Sequence, residues 1–183
     1  MELQTKHLIL RAWRESDAES LYQYACNPNI GLMAGWPPHT SVENSLEIIR
    51  TVFAAPETYA IVLKESGEAI GSIGLMTIRS KVYSAEMTES ECEIGYWVGE
   101  PYWGKGFAPE AVNELLRHAF EDIGYTAVWC GYFDGNHQSK RVQEKCGFVY
   151  HHSEYNKAVP LLNEYRTEHF MKLTHETWTS RNV

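Results

Sequence analysis

The chain has 183 residues, 44% of them hydrophobic and 22% charged, which is enough for one core and excludes a low-complexity or disordered chain. A formal charge of -8 and a pI near 5.5 argue against nonspecific nucleic-acid binding and suit a cationic substrate. No apolar run approaches a membrane span, and Met1-Glu-Leu-Gln-Thr-Lys-His7 lacks the apolar stretch of a signal peptide, so a cytoplasmic protein is expected.

Leu8-Ile-Leu-Arg11 predicts a first strand. Ser16-Asp-Ala-Glu19 has capping-box spacing and opens a helix through about Cys26, which Asn27-Pro28 ends. Gly31 to His39, with Trp36-Pro-Pro, is expected to be a loop. Thr40-Ser-Val-Glu43 is a second capping box, and Leu46, Ile49, Val52 and Phe53 have helical spacing. The period then changes. Tyr59 to Leu63 and Ala69 to Met76 predict strands joined by the turn Glu65-Ser-Gly-Glu68. Ile78 to Ser90 is polar and predicts a loop or irregular extension, and Cys92 to Val98 a further strand. Ala108, Ala111, Val112, Leu115, Leu116, Ala119 and Phe120 form one helical stripe, with Pro109 in the first turn and Gly124 as a stop. Ala127 to Tyr132 predicts a strand, and Ser139 to Lys145 a short helix capped by Gly147. Phe148 to Glu154 and Glu168 to Leu173 predict the closing strands.

No repeat or linker interrupts this order, so one domain over residues 1–183 is expected. It should be an α/β (α+β mixed-sheet) fold, with the strand–helix–strand around Gly104 forming a parallel pair. Cys26, Cys92, Cys130 and Cys146 are widely spaced and suit packing in a reducing compartment. The eight histidines show no zinc spacing. His151 and His152 are adjacent, which in a strand puts them on opposite faces, so no metal site is expected.

The most informative stretch is Val98-Gly-Glu-Pro-Tyr-Trp-Gly-Lys-Gly-Phe-Ala-Pro-Glu-Ala111. A strand enters a glycine-rich turn, and a helix leaves it. First-turn N–H groups, the helix dipole and Lys105 all favour an anion there, and Gly104 and Gly106 permit close approach. This describes a phosphate or pyrophosphate cradle. The Walker pattern is met from Gly99 to Lys105 but fails at Gly106, which has no hydroxyl for magnesium. The dinucleotide fingerprint fails at Pro109, where a third glycine is needed. A coenzyme A pyrophosphate loop is the third candidate.

Glu93-Ile-Gly-Tyr-Trp-Val98 followed by Tyr102-Trp-Gly-Lys-Gly-Phe-Ala108 resembles motif A of the GNAT acetyltransferases, most of all their RimJ/RimL-like branch. The family pattern Q/R-x-x-G-x-G/A falls on Trp103-Gly104-Lys105-Gly106-Phe107-Ala108, with Trp in the first place. Asn136-His-Gln-Ser139 with Glu144-Lys-Cys-Gly147-Phe148 resembles the second family motif. Leu8-Ile-Leu-Arg11, Trp36-Pro-Pro and Trp178 also look like that branch. The resemblance implies a GNAT fold with a central, mostly antiparallel sheet. It also implies acetyl-CoA as cosubstrate without a metal, an amine acceptor (a protein N-terminus or a small molecule), and direct attack in a ternary complex. Homodimers are common in the family.

Such a transfer needs an anchored donor, a deprotonated amine, an oxyanion donor and support for the leaving thiolate. The resemblance assigns the pyrophosphate to the backbone from Gly104 to Ala108 and the pantetheine arm to Trp97 and Val98. It implies a pantetheine hydrogen bond from Asn136, against a plain role as helix cap. Glu93 is the candidate base, with Glu91 on the same face as understudy; an ordinary strand carboxylate and a water chain are the alternatives. The family's usual acid position falls on Gln143, which cannot serve, so Ser139 is the candidate donor to the thiolate, against a simple helix-start serine. Lys140, Arg141 and Lys145 are candidates for the 3′-phosphate, against solvated surface charge. The loops Gly31 to Thr40 and Ser80 to Ser90 are expected to shape the acceptor site, with Trp36 as a wall. A non-catalytic acyl-CoA-binding module is the rival reading.

Overall fold

A computed structural model describes residues 1–78 and 86–181. It carries one eight-stranded sheet in the order β1-β2-β3-β4-β5-β6-β8-β7. The strands are β1 (Glu2–Gln4), β2 (Leu8–Arg11), β3 (Thr58–Leu63), β4 (Ala69–Met76), β5 (Glu91–Val98), β6 (Ala127–Phe133), β7 (Val149–Val159) and β8 (Glu164–Thr174). The helices are α1 (Ala18–Ala25), α2 (Pro28–Ala34), α3 (Val42–Thr51), α4 (Phe107–Arg117), α5 (His137–Lys145) and α6 (His175–Arg181). The sheet is mostly antiparallel, and β5 with β6 is the parallel pair, so the mixed fold expected from the sequence is the one observed. Residues group into two compact units. Met1–Gly74 with Tyr96–Glu114 forms the first, and Leu75–Gly95 with Leu115 onward the second.

In the first unit, Trp13, Leu21, Ala25, Ile49 and Val62 close an apolar cluster, with Trp36, Leu46, Phe53 and Trp97 packed against it. The expected Ser16–Glu19 capping box gives way to a different start. Glu15–Asp17 is a 3-10 turn, and the buried Asp17 carboxylate accepts from Arg14 N (2.9 Å) and pairs with both terminal nitrogens of Arg11 (2.7 and 2.9 Å). A buried guanidinium is the stronger partner for that carboxylate. The second capping box forms one residue later than expected: Ser41 Oγ accepts from Asn44 N, and Asn44 Oδ1 accepts from Thr40 N. Part of the expected Gly31–His39 loop is helix α2, because Asn27 caps it by accepting from Asn29 N and Pro28 sits at its first position.

In the second unit, Met87, Trp129 and Phe170 cluster, with Ile78 against them. The buried stripe of α4 runs on through a π-helical turn, His118–Ile123, and stops at Gly124 as expected. The closing strands are longer than their sequence signal, and the chain goes on into α6 rather than ending as a strand. Thr174 Oγ1 accepts from Thr177 N at its start, and Trp178 buries itself beside Phe120. The expected alternation also breaks in β7. Register shifts between Tyr150 and His152 against β8, so a bulge carries His151, and the rings of His151 and His152 come together rather than facing apart (Nδ1···Nδ1 3.0 Å).

Candidate active site

The turn after β5 has the geometry its glycines suggest. Gly104 and Gly106 both have left-handed backbone (φ +74° and +87°), and a Cβ on either would meet nothing within 4 Å. Conformation, not crowding, therefore demands glycine at both positions. α4 starts at Phe107 with Glu110 N donating to Gly106 O (3.1 Å). The N–H groups of Phe107 and Ala108 precede the helical bonding pattern, and Pro109 has none. Lys105 is exposed and lies over the Tyr102 ring (5.3 Å). Open backbone donors, a helix N-terminus and one cation thus share a single turn.

Residues ahead of the turn hold it in shape. Glu100–Tyr102 form a 3-10 turn. The Trp103 indole donates to Val98 O (2.7 Å), tying the end of the strand to the far side of the turn. Tyr24 donates to one oxygen of Glu68 (2.6 Å) and Tyr102 to the other (3.2 Å). Burial, then the Glu68 carboxylate, pushes the Tyr24 phenol far above its ordinary value, so it remains a donor. Glu110 fastens the first helical turn by accepting from His7 N (2.7 Å). The sequence reading missed Tyr24, Glu68 and Glu110, which no motif marks. Trp97 is half-buried and meets Trp36 edge-on (5.8 Å), so the loop after α2 does reach the end of β5. Its backbone is crowded on the sheet side: a Cβ on Gly71 would lie 2.2 Å from Trp97 O, so β4 needs glycine there. Of the second loop expected at the acceptor, residues 80–85 lie outside the described residues.

Glu93 and Glu91 are both buried on β5, in the second unit. The parallel ladder runs from Glu91↔Ala127 to Glu93↔Trp129 and ends there, while β5 continues to Val98 and β6 to Phe133. Glu91 is fully engaged. It pairs with Lys172 Nζ (2.7 Å) and accepts from Trp129 Nε1 and Thr88 N (3.0 Å each). Burial alone would raise its pKa, but these donors outweigh it and hold the carboxyl below its ordinary value. Glu91 is therefore a structural anion and a poor base. Burial, then the charge of Glu93, raises the Cys130 thiol well above its ordinary value, and burial pushes Cys146 to about 12. Both thiols suit packing rather than chemistry.

The second motif lies on α5. Asn136 is its cap, with Oδ1 accepting from Ser139 N (3.1 Å). Ser139 Oγ accepts from Gln143 Nε2 (3.0 Å), and the same amide nitrogen donates to Gly131 O on β6 (3.1 Å). Gln143 is fully buried, and its Oε1 has no hydrogen-bond partner among the described residues. Reversing the amide would set Oε1 against the Gly131 carbonyl, so the orientation is determined. Gln143 is thus a donor that holds Ser139. Lys140, Arg141 and Lys145 are exposed, with Lys140 near Glu144 (3.8 Å). Of the residues singled out from sequence, Trp97, Val98 and Trp103 to Ala108 gather in the first unit, and Glu93, Asn136 and Ser139 belong to the second.

A mixed sheet with one parallel pair, and a glycine turn opening a helix, make a site suited to an anion such as a phosphate. Residues 7–149 match the acetyltransferase (GNAT) domain, and the chain belongs to that acetyltransferase family. It is 30% identical over 131 residues to the uncharacterized N-acetyltransferase p20 of Bacillus licheniformis, covering 69% of this chain and 70% of that one. It is 27% identical over 154 residues to the ribosomal-protein-serine acetyltransferase of Escherichia coli strain K12, covering 79% and 80%, in keeping with the RimJ/RimL-like resemblance. The crystal structure of a GNAT-family acetyltransferase from Bacillus anthracis matches the fold with a TM-score of 0.81 at 21% identity, covering 96% of this chain and 99% of that one.

Proposed function

We propose that the chain transfers acetyl from acetyl-CoA directly to a primary amine, without an acetyl-enzyme intermediate. The observation that carries this reading is the turn with two left-handed glycines opening α4. Its backbone from Gly104 to Ala108, with Lys105, receives the pyrophosphate, and the backbone of Trp97 and Val98 receives the pantetheine arm. Asn136 adds a hydrogen bond to that arm through its amide nitrogen, since its oxygen caps α5. The amine nitrogen attacks the thioester carbon; a C–N bond forms and the C–S bond breaks. Glu93, directly or through water, takes the amine proton. Ser139, held by Gln143, hydrogen-bonds the departing thiolate. The relative named for ribosomal-protein serine acetylation makes a protein N-terminus the first acceptor to try, ahead of small amines. The protein is expected to work in the cytoplasm.

The test is a panel of N-terminal peptides and small amines with acetyl-CoA, monitored by thiol release. Turnover on at least one amine is expected. Tight coenzyme A binding with no thiol released from any amine would favour a binding module and end the proposal. Glu93→Gln should lower kcat at neutral pH and lose less at high pH, where the free amine is abundant. A loss independent of pH would remove Glu93 from the role of base.

A further inference from the structure

The bulge in β7 builds a ligand set that strand alternation would forbid. His151 Nδ1 and His152 Nδ1 lie 3.0 Å apart, and Glu86 Oε2 is 3.6 Å from His151 Nδ1. One donor atom from each of the three side chains falls within 4.8 Å of the others. Tetrahedral zinc with bonds of about 2.0–2.1 Å separates its ligand atoms by roughly 3.3 Å, and the 3.0 and 3.6 Å spacings lie on either side of that value. Without an ion, a hydrogen bond between the two rings and an ion pair from His151 to Glu86 would each explain one distance. One shared ion explains both.

The rings are also oriented in advance. His152 stacks on Phe170 (5.1 Å, 15°), and His151 stands edge-on to Trp129 (4.7 Å). The other nitrogen of His152, Nε2, faces Glu154 Oε1 at 3.5 Å. A carboxylate behind a ligating imidazole fixes its tautomer and raises its basicity. We propose that His151, His152 and Glu86 bind one divalent transition-metal ion of the zinc class, linking the segment that enters β5 to the β7–β8 hairpin. Two imidazoles and one carboxylate suit Zn2+ better than Ca2+ or Mg2+, which prefer oxygen alone. Three protein donors leave a fourth position for water.

The test is calorimetric titration of the intact protein with Zn2+ alone, paired with Co2+ absorption spectra. One equivalent should bind, with visible bands typical of nitrogen and oxygen donors. His151→Ala and His152→Ala should each weaken binding at least tenfold, and His137→Ala, at an exposed histidine elsewhere, should not. Glu154→Gln should weaken it about tenfold without removing a ligand. Absence of binding, or equal affinity in wild type and both histidine variants, would overturn the proposal and leave the ring pair as a hydrogen bond.

Discussion

Two glycines with one lysine between them shape the turn at the level of single residues. Both have positive φ, and neither is crowded, so alanine would fit in space but not in conformation. A left-handed conformation costs an ordinary residue about 1–2 kcal/mol. Gly106→Ala is therefore expected to raise the KM for acetyl-CoA several-fold with little change in kcat, as steady-state kinetics would show. A fall in kcat at unchanged KM would mean that the turn does not hold the donor. These glycines were legible because the chemistry of a phosphate turn acts through sequence-adjacent backbone. The roles of Glu91 and Glu93 were not separable by that route. They sit two residues apart on one face, and the engagement of Glu91 rests largely on Lys172 and Trp129, far away in sequence.

At the scale of elements, the start of α5 is held together by its own side chains. Asn136 caps the helix, and Gln143 one turn beyond Ser139 holds the serine hydroxyl. Gln143→Leu removes the donor to Ser139 and to Gly131 while keeping the volume apolar. We expect a lower kcat with an unchanged KM for acetyl-CoA. An unaltered kcat would show that Ser139 needs no such support. Elements with a strong apolar pattern were readable because α3 and α4 each bury one face, while β2 and β4 are buried along most of their length. The signals for α2 and α6 were weak. Each has seven residues, too few for a period, and depends on a cap and one or two buried side chains such as Ile30 and Trp178.

Across the whole molecule, buried and hydrogen-bonded carboxylates tie stability to pH. Burial tends to raise the pKa of both Glu91 and Glu110. The donors on each (Lys172 first for Glu91, Thr5 and His7 for Glu110) hold them below the ordinary 4.5 instead. A carboxyl depressed by folding stabilises above its unfolded pKa and loses that contribution as pH falls through the folded value. Urea midpoints should thus be level near neutrality and decline from about pH 5 to about pH 3. Lys172→Met should lower the midpoint at neutral pH, because Glu91 stays buried without its cation, and should flatten the decline. An unchanged acid limb would mean that Glu91 contributes little to it.

Local order along the chain was enough for the class of fold and for the glycine turn that opens α4. Hydrophobic period, glycine spacing and a helix start are properties of neighbouring residues. Contacts between residues distant in sequence decided the rest. The clamp of Tyr24 and Tyr102 on Glu68, the engagement of Glu91 by Lys172, the bond from Gln143 to Gly131 and, through pairing with β8, the meeting of His151 with His152 all arise that way. The last depends on one inserted residue in a ladder, and a bulge is set by the partner strand rather than by the bulged segment itself.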